Sequence, residues 1–193
     1  FNDLATENDG SCLFADWGLL GFELNGEASW ESSASSVSIS YDGSVIAIGS
    51  PGATNTEGVA AGQVRVFEWV SEQSAWTQKG DGIYGLGGSA QLGSSVSLSD
   101  DGNTLAVGAP YSDPDQNSGW HGSVGIYSWN DEMGQWIQQG DDIWGLEGDR
   151  AGYSVSLSSD GNSVVVGSPY NDDNGSDSGN VRVFQWDVFT SSW

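Results

Sequence analysis

Residues 152–186 read GYSVSLSSDGNSVVVGSPYNDDNGSDSGNVRVFQW. The order is a short alternating strand, an Asp-Gly turn, an apolar strand ending in Gly-Ser-Pro, an acidic loop and an aromatic strand. The same text occurs twice upstream. Its Asp-Gly turns, Asp42-Gly43, Asp101-Gly102 and Asp160-Gly161, are 59 residues apart both times. Gly49-Ser50-Pro51, Gly108-Ala109-Pro110 and Gly167-Ser168-Pro169 keep that interval. The aromatic strands Val64–Trp69, Val124–Trp129 and Val181–Trp186 are spaced by 60 and 57, so the length change lies in the preceding loop. A fixed period of this kind marks a repeat architecture.

Each part of the repeat has a physical reading. In Ser36–Ser40, Ser95–Ser99 and Ser154–Ser158, Val and Ile or Leu alternate with Ser, the period of a strand. Small serines let a neighbouring backbone approach closely. The Asp-Gly that follows is a hairpin signal, because Gly takes positive φ without strain. The partner strands Val45–Ile48, Thr104–Val107 and Ser163–Val166 are almost wholly apolar, as strands covered on both faces are. In the aromatic strand Val64 and Val66 face one way, Phe67 and Trp69 the other. Trp17–Gly26, Trp76–Gly85 and Trp136–Gly145 align as an outer strand followed by a connection inward. The unit is therefore four antiparallel strands of about 59 residues with both faces needing cover. Such sheets stacked around an axis make a β-propeller. The expected fold is all-β, three four-stranded antiparallel blades over residues 17–193. Propellers close with about four to eight blades, so three repeats read as part of a larger ring.

The pattern G-x-S-V-S-L-S-x-D-G-x-x-V-x-V-G-S/A-P followed by G-x-V-x-V-F/Y-x-W resembles the FG-GAP-type repeat of integrin α subunits and of microbial and algal extracellular proteins. It is carried by Gly152, Ser154–Ser158, Asp160-Gly161, Gly167-Ser168-Pro169, Gly179, Val181, Val183, Phe184, Trp186 and their equivalents. The resemblance implies a seven-bladed propeller. It does not imply integrin-style calcium sites, because the place of their D-x-D/N-x-D-G loop holds a bare hairpin. Residues 1–16 do not match the repeats. Ala5 and Asp9-Gly10-Ser11-Cys12 resemble the tail of a DGSC-type extracellular module, in which the cysteine pairs with one upstream. That resemblance implies that Cys12 is bonded to a residue outside the chain; a plain N-terminal linker is the other reading.

Acidic residues number 27 and basic residues 4 among 193, a formal net charge of −23. Such a field excludes partners that demand Lys/Arg patches, nucleic acid and anionic membrane among them. It favours solubility and attracts cations. No apolar window is long enough for a transmembrane helix, so no membrane insertion is expected.

Candidate chemistry is sparse. His121 is the single histidine, and nothing repeats around it. No serine triad, P-loop or C-x-x-C pattern is present, so no catalytic residue and no enzyme activity are expected. The best metal candidate is Asp172, Asp173, Asn174 and Asp177, oxygen donors around Gly175 that could wrap Ca²⁺; a solvent-facing polar loop is the alternative. Calcium is the one cofactor the sequence raises. Asn174-Gly175-Ser176 is a glycosylation sequon. Trp69, Trp129 and Trp186 are in register, as are Trp76, Trp136 and Trp193, which argues for repeated packing. Trp120 breaks register in a loop and is the candidate sugar-contact aromatic. These features together lead to the expectation of a secreted or cell-surface, non-enzymatic structural, adhesion or assembly protein. A carbohydrate-binding propeller is the alternative and a propeller-hosted enzyme the third reading. Expected partners are further blades of the same polypeptide or neighbouring subunits, with glycans or matrix proteins beyond them.

Overall fold

The computed structural model describes residues 18–54, 59–85, 87–114 and 119–193. They form three antiparallel sheets. The first has β1 (Ser36–Ile39), β2 (Val45–Ser50), β3 (Gln63–Val70), β4 (Ala75–Gln78) and β5 (Ile83–Tyr84). The second has β6 (Ser95–Leu98), β7 (Thr104–Ala109), β8 (Ser123–Asn130), β9 (Gln135–Gln138) and β10 (Ile143–Trp144). The third has β11 (Ser154–Leu157), β12 (Ser163–Ser168) and β13 (Asn180–Gln185). No helix occurs among the described residues.

These sheets are the expected propeller blades, with three corrections of detail. The connection inward adds a fifth, two-residue strand: β4 pairs the end of β3 and β5 pairs its start, and β9 and β10 do the same on β8. The third sheet has three strands, and only the bridge Asp187↔Ser192 stands where its fourth would be. Gly18–Gly26 forms no strand, because no described strand offers it the pairing that β3 gives to β4 and β5. Trp17 lies outside the described residues, as do Cys12 and the rest of residues 1–16.

The three Asp-Gly turns share one hydrogen-bond circuit. Ser40, Ser99 and Ser158 donate their hydroxyls to Asp42, Asp101 and Asp160 at 2.8, 2.6 and 2.6 Å. The same oxygens accept the backbone N–H of Val45, Thr104 and Ser163. Backbone N–H groups of Ser44, Asn103 and Asn162 donate to the carboxylates. Gly43, Gly102 and Gly161 supply the positive φ, at 74°, 67° and 69°.

β1, β6 and β11 are the inner strands, and they lock each blade to the next. Ser36 donates to Gly93 O and Ser95 to Gly152 O, both at 2.8 Å. Ser38 and Ser97 accept the N–H of Leu98 and Leu157, both at 2.9 Å. Tyr41 N–H donates to Asp100 O, and Asp100 N–H to Ser159 O. The serines thus do more than leave room: they are the inter-blade hydrogen bonds. At the outer edge the registered tryptophans do the same. The indole N–H groups of Trp76, Trp136 and Trp193 donate to the carbonyls of Leu20, Lys79 and Gln139.

Between these two latches lie the cores. Val45, Ala47, Val64 and Val66 of the first blade meet Val96, Leu98, Leu105 and Val107 of the second. Ala106, Val124 and Ile126 meet Val164 and Val166 of the third. Fully burying each Val or Leu contributes about 1.5–3 kcal/mol, so stability resides in the blade-to-blade faces.

Gly49 and Gly108 are glycine because the next blade's backbone runs against them. A Cβ there would overlap the carbonyl oxygen of Gly93 or Gly152. At Gly167 it would meet only the rotatable Ser154 hydroxyl. Gly108→Ala is expected to cost about 1–3 kcal/mol, the range for overpacking, and Gly167→Ala much less, read by thermal unfolding of the two variants. The turns yield a second expectation. Hydrogen bonds from the Ser44 amide and the Ser158 hydroxyl first among others hold Asp42 and Asp160 down to about 2. With folded pKa values depressed, their stabilisation is present above the ordinary carboxylate range and is lost as pH falls toward 2. Acid unfolding of an Asp42→Asn/Asp160→Asn variant should show a shallower pH dependence there than the parent.

Candidate functional site

The site is found where the repeat breaks its own rule. All four basic residues of the chain stack on aromatic rings. Two of them occupy one repeat position. Arg65 on β3 lies 5.5 Å from the Phe67 ring, and Arg182 on β13 lies 5.4 Å from Phe184. Each reaches the segment leading into its own blade: Arg65 donates to Asn25 O at 2.9 Å and Glu27 at 3.2 Å, Arg182 to Trp144 O at 2.9 Å. β8 has Gly125 and Tyr127 in place of Arg and Phe. Beside Gly125 a crevice of about 240 Å³ lies between the first and second blades. Its walls include Tyr84, Leu92, Tyr127, Gln138, Asp142 and Trp144.

The lining of the crevice combines polar groups with the aromatic rings of Tyr84, Tyr127 and Trp144. A Cβ at Gly125 would lie 3.1 Å from the Tyr127 hydroxyl and 3.3 Å from Asp142 Oδ1, so both groups project into the space that arginine takes elsewhere. Burial pushes the Asp142 carboxyl up, and the Asp141 charge adds to this; Gln138 donates to it at 2.7 Å and opposes the rise. Burial, with the Asp142 charge second, pushes Tyr127 up to about 12, so its phenol stays protonated. At the rim Asp113 accepts the Gly119 N–H at 2.9 Å, and His121 Nδ1 lies 3.6 Å from Asp113 Oδ1. A protonatable carboxyl beside a neutral phenol in a cleft can exchange a proton with a bound molecule or pair with a cation.

The residues singled out from sequence lie elsewhere. Asp172, Asp173, Asn174 and Asp177 are exposed on the β12–β13 loop. Asp172 accepts the Asp177 N–H at 2.8 Å, and Asn171 accepts that of Asp173 at 3.1 Å, so the loop is shaped by its own hydrogen bonds. Among the described residues no three His, Cys, Asp or Glu gather as a metal site. Trp120 is 44% exposed, and its ring shares the Arg150 guanidinium with Tyr111 and Tyr170, at 4.9, 5.0 and 4.2 Å. Sequence reasoning missed Gly125, Tyr127 and Asp142. Their signal was present: Val124-Gly125-Ile126-Tyr127 departs from Val-Arg-Val-Phe in the other two copies.

Asp142 has a checkable electrostatic consequence. A carboxyl raised in the folded state favours folding while protonated, and that contribution is lost as pH rises through its titration. Asp142→Asn stays neutral and keeps an acceptor for Gln138. It should therefore unfold at a higher temperature than the parent at pH 7, with the gap closing as pH falls below the ordinary carboxylate range, as followed by calorimetry.

Residues 145–184 match the family model described as the FG-GAP repeat. Among curated proteins none matches this chain in sequence. The periplasmic gluconolactonase PpgL of Pseudomonas aeruginosa is similar in structure, 17% identical over 79% of this chain and 39% of its own, with a TM-score of 0.50. A putative 6-phosphogluconolactonase from Bacteroides uniformis is 15% identical over 79% of this chain and 37% of its own, with a TM-score of 0.49. The chain spans about two fifths of the length of these solved proteins. The likeness to PpgL overturns the expectation of a structural or adhesion protein: the blade architecture is shared with an enzyme-bearing propeller, so it gives no ground for preferring a non-enzymatic role. The matched repeat and the shared fold identify an FG-GAP-like β-propeller repeat protein.

Proposed function

We propose that these blades belong to a propeller that hosts an enzyme-type small-molecule site in the crevice between the first and second blades. The observation that carries this reading is Asp142, a carboxyl raised by burial inside a cleft and oriented by Gln138. Perturbed acids in clefts are where acid–base chemistry is found. The net charge of −23 selects against phosphorylated and other anionic substrates. PpgL, by name a gluconolactonase, makes hydrolysis of an acyl–oxygen bond the first class to test. In that reaction water adds to the acyl carbon while Asp142 takes its proton. The acyl–oxygen bond then breaks, and the proton goes to the leaving oxygen. Tyr127 hydrogen-bonds the bound molecule, and Tyr84 and Trp144 form its walls.

Further blades of the same repeat complete this scaffold. Val165, Val181 and Val183 are 38, 67 and 69% exposed, whereas their equivalents Ala106, Val124 and Ile126 are fully buried by the next blade. Ser154 and Ser156 repeat the latch serines on that same edge. The enzyme reading is tested in a pH-stat with neutral aldonolactones and amino-acid esters. The expected result is proton release above the spontaneous rate, reduced by about 10²-fold or more in Asp142→Asn, the usual scale of acid–base catalysis. No acceleration on any of these substrates would remove the reading.

A further inference from the structure

We infer that the crevice beside Gly125 takes a guanidinium group on a flexible stem, the group that Arg65 and Arg182 supply at this repeat position in the flanking blades. The inference rests on the crevice being a ligand site, and not on its turning anything over. Internal symmetry supplies the argument. Arg65 is held by an aromatic ring two residues on, by the carbonyl of Asn25 and by the carboxylate of Glu27. Arg182 is held by Phe184 and the carbonyl of Trp144. The crevice offers the same kinds of group, although Tyr127 and Asp142 reach over Gly125 into the room that the arginine stem takes in the flanking blades. Tyr127 supplies a ring from the repeat position of Phe67 and Phe184, with Cε2 3.0 Å and the hydroxyl 3.1 Å from where a Cβ at 125 would be, and Tyr84 occupies the repeat position of Asn25 and Trp144. Asp142 adds a carboxylate oxygen 3.3 Å from where the first side-chain carbon would begin. Leu92, at the repeat position of Ser33, closes the wall.

Ligand size and chemistry follow from the same walls. A volume of about 240 Å³ is below the roughly 300–1,000 Å³ of drug-sized pockets, so it admits a side-chain-sized molecule. Aromatic faces and a carboxylate together favour a planar guanidinium over a compact, strongly hydrated ammonium, because the plane stacks on a ring while its edge donates two parallel hydrogen bonds. The fold already treats its own cations this way, Arg150 included, among three rings. The acidic surface raises the local concentration of such a ligand.

The test is titration calorimetry of the whole chain with N-acetyl-arginine amide and with N-acetyl-citrulline amide, which has the same shape without the charge. Arginine amide is expected to bind, with citrulline amide and Asp142→Asn each weaker by tenfold or more. Gly125→Arg/Tyr127→Phe rebuilds the seat of the flanking blades and should abolish binding while the circular dichroism is unchanged. Equal binding of arginine and citrulline amides by the parent protein, or no binding of either, overturns the inference without any variant needing to fold. A Gly-Arg-Gly amide separates the sources of the group. Tighter binding than arginine amide assigns an arginine of another polypeptide; equal binding assigns a small molecule. Arginine binding with no hydrolysis of any ester or lactone supports the inference and removes the enzyme reading. Hydrolysis with no arginine binding does the reverse.

Discussion

The close approach of one blade's inner strand to the next is the constraint on which the structure depends. It demands glycine at 49 and 108, where the neighbouring carbonyl leaves no room for a Cβ. It demands serine at 36, 38, 95 and 97, because backbone groups that close must be hydrogen-bonded once water is excluded. Larger polar side chains would hold the blades apart, and apolar ones would leave the carbonyls and amides unpaired. The apolar faces of β2, β3, β7 and β8 can be buried only because this latch draws them together. The period of the sequence is therefore the period of an interface more than of a sheet.

That interface also explains the handling of charge. With 27 acidic residues against 4 basic ones, each cation is valuable to the fold. None is left merely on the surface as a counter-charge: each stacks on an aromatic ring. Lys79 is buried over Trp129 and Trp136 and donates to Asn103 at 2.9 Å; burial lowers its pKa. Aromatic faces give a cation a desolvated partner that adds no negative charge to an already acidic chain. The second blade has Gly125 where such a cation would sit, and its crevice lies beside an acid. The candidate site is thus a local exception to a rule that the rest of the chain obeys.

The sequence by itself determined the all-β class, the three repeats, the hairpins and the packing role of the registered tryptophans. All of these are local or periodic: alternation, an Asp-Gly pair and a recurring indole carry their meaning within one repeat. The third repeat alone, residues 145–184, suffices to match the FG-GAP family model. What only the tertiary structure decided lies between repeats. That Ser38 bonds Leu98, sixty positions away, follows from how two blades meet. The fifth strands exist because β3 and β8 are long enough to pair both β4 and β5, or β9 and β10. Nothing within one repeat shows that Gly125 lines a cavity; the stacked blades place it there, and bring Asp142, from the connection beyond β9, into the same lining. Attention to acidic residues in sequence fell on Asp172 and Asp173, where they are crowded. The carboxyl pushed up instead of down is Asp142, because burial, which no local pattern reports, is what raises its pKa.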